Sequence, residues 1–190
     1  MYLRKLVEKN RSIRRFKQGL SIERSVLEDL VNLGRISASG ANMQPLKYMI
    51  FCDAETNAKI FPHLKWAGYL KEWPGPVEGE RPAAYVVILG DTEISKGFGC
   101  DHGIAAQSIL LGAAEQEIGG CMIGSIDRKG LAEALRISER YEILLVLALG
   151  VPGETVKLVG VPPDGSIQYY RDAAGVHYVP KRDLSEVILN

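Results

Sequence analysis

The chain has 190 residues, 46% hydrophobic and 24% charged, which is enough to fill one sizeable core and short for two independent ones. Lysine plus arginine and aspartate plus glutamate each total 23, so no net field draws the molecule toward nucleic acid or an anionic membrane. Small molecules and protein partners are the expected ligands.

Residues 1–6 alternate charge with apolar side chains and lack the unbroken apolar run of a secretory signal, which makes the cytoplasm the expected compartment. Ile22, Val26, Leu27, Leu30, Val31 and Leu33 recur at helical spacing, predicting a helix over 22–37 capped by Ser21. Bulky apolar residues over 47–52 predict a strand, after which Asp53 can cap a short helix running toward Pro62.

Residues 62–82 hold Trp66, Tyr69, Trp73 and four of the nine prolines, without a clear period after Leu70. So long a loop with such aromatic content is expected to pack as a lid over a site, since disorder would leave both tryptophans in water. Residues 84–89 read as a second buried strand, and 95–118 as one long helix ending at Gly119 and Gly120. The apolar stretch of that helix, 103–114, falls well short of the roughly 20 residues a membrane span requires and reads as a buried central helix.

Residues 121–123 form an expected short strand, Asp127 caps a helix through Leu135, and 143–149 is a continuous apolar strand buried on both faces. Beyond Pro162 and Pro163, residues 168–171 and 176–179 resemble two short strands about a turn at 172–175. Residues 181–190 read as an extended tail with too little apolar surface to order itself, which if ordered must dock on another surface, for example another subunit. Together these elements predict one α+β domain over 1–190, without internal repeats.

Cys52, Cys100 and Cys121 and the three histidines are too widely spaced for a disulfide framework, a zinc knuckle or a redox dithiol. Phosphate-loop, Rossmann, G-x-S-x-G and HExxH motifs are absent from the sequence. What remains is the cluster Arg11, Ser12, Arg14 on an irregular segment, where guanidinium forks and a hydroxyl suit a phosphate; a merely solvated basic patch is the alternative. A second candidate is 37–45, in which Ser39, Gly40, Asn42 and Gln44 combine small residues that let backbone approach a ligand with amides that can read polar ring edges; an ordinary helix-to-strand connection is its alternative.

The R-S-x-R start at Arg11, the S-G-x-N-x-Q-P turn from Ser39, the 119–124 segment and the basic pair Lys181 and Arg182 together resemble the nitroreductase family over nearly the whole chain. The resemblance implies a three-layer α+β sandwich with a central mixed or antiparallel sheet, a long central helix, and a C-terminal extension over 164–190 that completes the partner's sheet in a homodimer. It implies two FMN sites in the dimer interface and NADH or NADPH as electron donor. Arg11 and Ser12 would hold the FMN phosphate and ribityl chain, and Lys181 and Arg182 the phosphate. Arg14 would approach the pyrimidine edge as a charge stabiliser. Ser39, Gly40 and Asn42 would come from the other subunit, the backbone of Ile123 and Gly124 would lie near the flavin N5, and Gln44 would be structural.

Chemistry then resides on the flavin, with no catalytic side chain, metal, nucleic acid or membrane involved. The implied reaction passes hydride from the nicotinamide to an electron-poor acceptor such as a nitroaromatic or quinone, in a ping-pong cycle. Trp66, Tyr69 and Trp73 are candidates to line the acceptor pocket or to pack the loop onto its own domain. A flavin-dependent dehydrogenase or dehalogenase on the same scaffold, or a flavin-binding protein without turnover, is the alternative. Two positions depart from the family pattern: Asn10 stands where many relatives have a second basic residue, and Leu46 where many have tryptophan.

Overall fold

The computed structural model describes residues 2–189. In chain order the elements are α1 (Tyr2–Lys9), α2 (Arg24–Arg35), β1 (Leu46–Phe51), α3 (Ala54–Ile60), β2 (Ala84–Asp91), α4 (Asp101–Glu115), β3 (Gly119–Ile123), α5 (Arg128–Leu135), β4 (Tyr141–Gly150), β5 (Val156–Gly160), β6 (Tyr170–Arg171), β7 (His177–Lys181) and α6 (Leu184–Val187). β1, β2, β4 and β3 lie side by side in that order, each pair antiparallel.

Strand periodicity divides this sheet's side chains between two cores. Ala84, Val86 and Ile88 of β2 meet Leu27 and Leu30 of α2 and Ala106, Ile109, Leu110 and Ala113 of α4 on one face. Tyr85, Val87 and Leu89 meet Ile60, Leu64, Trp66 and Leu131 on the other. The α+β sandwich is therefore helices, sheet and helices, and β2 is buried along its whole length because both of its faces are covered. Between Ile88 and Leu89 the register with β4 shifts by a bulge. The extra residue explains why Ile143 and Leu145, two apart in sequence, face opposite cores.

The caps at Asp53 and Asp127 form as the sequence predicts: Asp53 accepts from the Thr56 amide and Asp127 from the Gly130 amide. α2 starts two residues late, with Glu23 rather than Ser21 at its cap. The central helix is shorter than its 95–118 reading. Ser95 bonds the Gly97 carbonyl at 2.7 Å in a local turn, Phe98 tucks into the core, and α4 begins only at Asp101. At its other end Glu117, not a glycine, adopts the left-handed conformation at φ 59. Gly119 and Gly120 belong to β3, where a Cβ on Gly120 would lie 2.4 Å from Leu110 and 2.8 Å from Leu149. Gly120 lets the strand press against α4, and Gly119 lets it press against Ile13 and Pro152.

Three elements were not foreseen, among them α6, a one-turn helix with a capping box at Asp183 in the stretch read as an extended tail. α1 occupies the segment read only as a charge alternation, and Tyr2 and Lys9 bond Glu115 and Glu117 near the end of α4. β5 pairs in parallel with β7, which in turn pairs antiparallel with β6. Residues of the proposed 164–190 extension therefore divide: β6 and β7 fold onto their own chain, and only the stretch after Lys181, with exposed Leu184, Val187 and Leu189, projects from it. Asn190 lies outside the described residues. Among the described residues no helix is long and apolar enough to cross a membrane.

Candidate functional site

Segment 11–17 runs without helix or strand of its own, yet every amide from Ile13 to Lys17 finds an acceptor. Ile13 donates to the Gly120 carbonyl at 2.9 Å, Phe16 to Glu80 at 2.9 Å and Lys17 to Val151 at 2.9 Å. Arg14 and Arg15 donate to one side-chain oxygen, Glu154 Oε1, at 2.5 and 3.1 Å. Gly153 donates back to the Arg15 carbonyl at 2.8 Å, and its own Cα comes so near that a Cβ would lie 2.9 Å from the Phe16 carbonyl carbon. Buried Ile13 and Phe16 supply the apolar anchor. The result is an extended strip laid beside β3, through a bridge between Ser12 and Gly120, with its backbone polar groups satisfied.

This strip presents Arg14 half-buried, its guanidinium 4.9 Å from the Tyr169 ring centroid and 3.4 Å from the Ser12 carbonyl. Among the described residues it forms no ion pair with a carboxylate. Ser12 is exposed. Arg11 turns its guanidinium to the Val7 carbonyl at the end of α1, leaves Nε buried without a partner, and has its pKa lowered by that burial. Ile123 is buried and Gly124 exposed at the end of β3, the same strand that supports Ser12 and Ile13. Arg11, Ser12, Arg14, Ile123 and Gly124 thus belong to one neighbourhood of the fold.

Ser39, Gly40 and Asn42 occupy a separate loop on the other side of α4's start. Ala41, Asn42 and Gln44 all take positive φ, at 48°, 55° and 52°. The buried Asp101 carboxylate accepts from Ser39 Oγ at 2.6 Å and from the Gly40 amide at 2.9 Å, while Ser39 Oγ accepts from the Gln44 amide at 2.9 Å. A cleft of about 530 Å³ opens beside this loop between α2 and β1, lined in part by Ser39, Gln44, Tyr48 and Asp101. Among the described residues no hydrogen bond ties this loop to segment 11–17. Lys181 and Arg182 are exposed, with Arg182 3.7 Å from Glu186.

The aromatic loop resolves into two roles. Trp66 is a core residue, 8% exposed and 5.9 Å from the Phe61 ring, so its indole faces packing rather than a pocket. Tyr69 is 48% exposed and lies 5.0 Å from Tyr169; Trp73 is half-buried with the Arg171 guanidinium 4.3 Å above its ring. The loop therefore closes on the C-terminal hairpin and, through Tyr169, on Arg14. Sequence reading missed Glu154, Tyr169, Arg171, His177 and Asp101. Only Asp101 carried a usable signal, an acid in the first turn of a helix, and it was lost because the helix was extended through it.

A nitroreductase family model matches residues 7–151. The chain belongs to the nitroreductase family. The matched stretch includes Arg11, Ser12, Arg14, Ser39, Gly40, Asn42, Ile123 and Gly124, whereas Glu154, Tyr169, His177, Lys181 and Arg182 lie beyond it. A nitroreductase family protein from Streptococcus pneumoniae superposes with a TM-score of 0.71 at 15% identity, over 98% of each chain. A protein from Desulfovibrio desulfuricans, solved in complex with FMN, gives 0.71 at 21% identity over 99% of this chain and 95% of that one. An FMN-dependent nitroreductase from Clostridium difficile gives 0.64 at 21% identity over 78% and 87%. At these identities the superpositions establish the fold. A search of curated proteins finds no match.

Proposed function

We propose that this nitroreductase is an FMN-dependent oxidoreductase that takes hydride from NADH or NADPH and delivers it to an electron-poor acceptor, a nitroaromatic or a quinone, in a ping-pong cycle. The observation that carries the reading is Arg14. A half-buried guanidinium on a fully bonded backbone, paired with no protein carboxylate among the described residues, is a cation prepared for an anionic ligand. The Desulfovibrio relative of the same fold was solved with FMN, and the donors here suit that molecule: guanidinium groups and the Ser12 hydroxyl for phosphate and polyol, a single cation for an electron-rich ring edge.

Bound FMN supplies the centre that accepts a hydride and gives it up. The chain's own groups bind and orient. Arg11, Ser12, Lys181 and Arg182 hold the phosphate and ribityl end; Arg14 faces the pyrimidine edge and favours the negative charge of the reduced cofactor; the Ile123 and Gly124 backbone lies beside the reacting edge. Arg11 must swing from the Val7 carbonyl to do this. Tyr69 and Trp73 form the wall an acceptor meets, and Trp66 fixes that wall to the core.

The whole chain acts as one domain and pairs as a homodimer, in which Ser39, Gly40 and Asn42 reach the partner's flavin. β1 is the sheet edge with no neighbouring strand beyond it among the described residues, and the 530 Å³ cleft runs along it. The partner's segment after Lys181, a short helix with exposed Leu184, Val187 and Leu189, supplies the apolar surface proposed to cover that edge. An absorbance spectrum and FMN titration of the apo-protein test the reading. Bound FMN that weakens in Arg11→Ala and Arg14→Ala, with nicotinamide oxidation dependent on an added acceptor, is the expected result. A protein that takes up no FMN overturns it.

A further inference from the structure

Glu154 has no part in the roles assigned above, yet the Arg14 backbone depends on it. Its carboxylate is 1% exposed. Oε1 accepts both the Arg14 and Arg15 amides, and Oε2 accepts from Arg171 at 2.8 Å. His177 Nδ1 stands 3.9 Å from Oε2, on a ring with no solvent exposure that stacks 5.3 Å from Tyr169. Burial pushes His177 down to about 4, so the ring is neutral at pH 7 and the charge within the cluster is balanced between Glu154 and Arg171.

The arrangement is selective. Glu154 is the nearest buried anion to the strip, and it engages the Arg14 amide while Arg171 occupies its other oxygen. The Arg14 guanidinium, held against Tyr169, keeps its charge without a protein counter-ion among the described residues. A carboxylate bonded to that guanidinium instead would cancel the charge the cofactor is to meet.

We infer that Glu154 is a positioning residue for the flavin: by clamping the Arg14 and Arg15 amides, with Arg171 as its own counter-charge, it fixes Arg14 so that an unneutralised guanidinium is presented to the cofactor. The inference rests on the reading of Arg14 given under Proposed function. A residue that only anchored the C-terminal hairpin would affect folding and leave the cofactor's electronic state alone.

The test is the two-electron midpoint potential and FMN dissociation constant of the loaded protein in Arg14→Ala, Glu154→Asp, Arg171→Met and the Glu154→Asp/Arg14→Ala double variant. Arg14→Ala is expected to lower the preference for reduced over oxidised FMN by about tenfold, which is about 30 mV for two electrons. Glu154→Asp, which keeps the charge but withdraws the oxygen from the two amides, should reproduce much of that shift, and the double variant should add nothing to Arg14→Ala. Arg171→Met should lower stability and leave the potential near that of the parent. A shift in Arg14→Ala with none in the Glu154 variant overturns the positioning role and leaves the Arg14 reading intact. No shift in Arg14→Ala overturns the Arg14 reading itself, and the positioning role with it.

Discussion

Segment 11–17 and loop 39–44 are both proposed to face a flavin, yet they are held in opposite ways. The first has five consecutive amides bonded to four different parts of its own chain: β3, the aromatic loop, the end of β4 and Glu154. The second carries three non-glycine residues in the left-handed region and leans on one buried carboxylate, Asp101. The first region is determined within the protomer. The second is a shape under strain with few contacts of its own chain to hold it, which suits its proposed place across a dimer interface.

Removing the clamp from the first region should produce the largest effect. Glu154→Ala leaves two amides without an acceptor and Arg171, 11% exposed, without its counter-ion. Loss of one member of so buried a pair costs about 3–5 kcal/mol, to be read from the denaturant midpoint of the apo-protein. A cost near that of an ordinary surface substitution would show that the strip does not need its clamp. Asp101→Ala is the matching cut in the second region. It removes two hydrogen bonds to a charged acceptor and should cost about 1.5–3 kcal/mol, with weaker FMN binding. Unchanged FMN affinity in a folded Asp101→Ala protein would remove the loop from the site.

Acid should attack the first region selectively. His177 ionises at about 4 when folded and near its ordinary value of about 6.5 when unfolded, so between those values the unfolded chain binds the extra proton. Its contribution to stability is therefore complete above about pH 6.5 and declines as the pH falls toward 4, by at most about 1.4 kcal/mol per pH unit. Facing the ring are Glu154, Arg14 and Arg171; the carboxylate raises its pKa and the two arginines lower it, while burial dominates. His177→Phe, which keeps the stack on Tyr169, should flatten the slope measured between pH 6.5 and 5. An unchanged slope would place the acid sensitivity elsewhere.

The two regions also differ in how much the sequence disclosed. Continuous apolar runs marked β2 and β4, because strands covered on both faces need no polar alternation, and Asp53 and Asp127 announced their helices through cap chemistry. Arg11, Ser12 and Arg14 were visible as residue types suited to phosphate. Glu154 was not, since one carboxylate after Pro152 and Gly153 looks like any turn until β4 brings it to Arg14, 140 residues away. β5 was missed for the same reason: it forms by pairing with β7 across a long connection, and its residues show only partial burial. Local periodicity reports elements that carry their own pattern, while residues that matter through distant pairing leave no local trace.

The smallest prediction separates the regions by sign. Ala41 sits at φ 48, where an L side chain costs about 1–2 kcal/mol and glycine costs nothing. Ala41→Gly relieves that strain against a greater entropy loss of about 0.4–1 kcal/mol, so the apo-protein should gain about 0.5–1 kcal/mol. The same kind of change at Lys17, an exposed residue without a positive φ in the pinned strip, has no strain to relieve and should cost about 0.5–1 kcal/mol. FMN affinity should move the other way in the loop: a glycine freed to leave the left-handed region must be reordered when cofactor binds, so Ala41→Gly should bind FMN more weakly even as its denaturant midpoint rises. A joint rise in stability and affinity would mean that the strain at Ala41 is no part of the site, and that Asp101 alone shapes the loop.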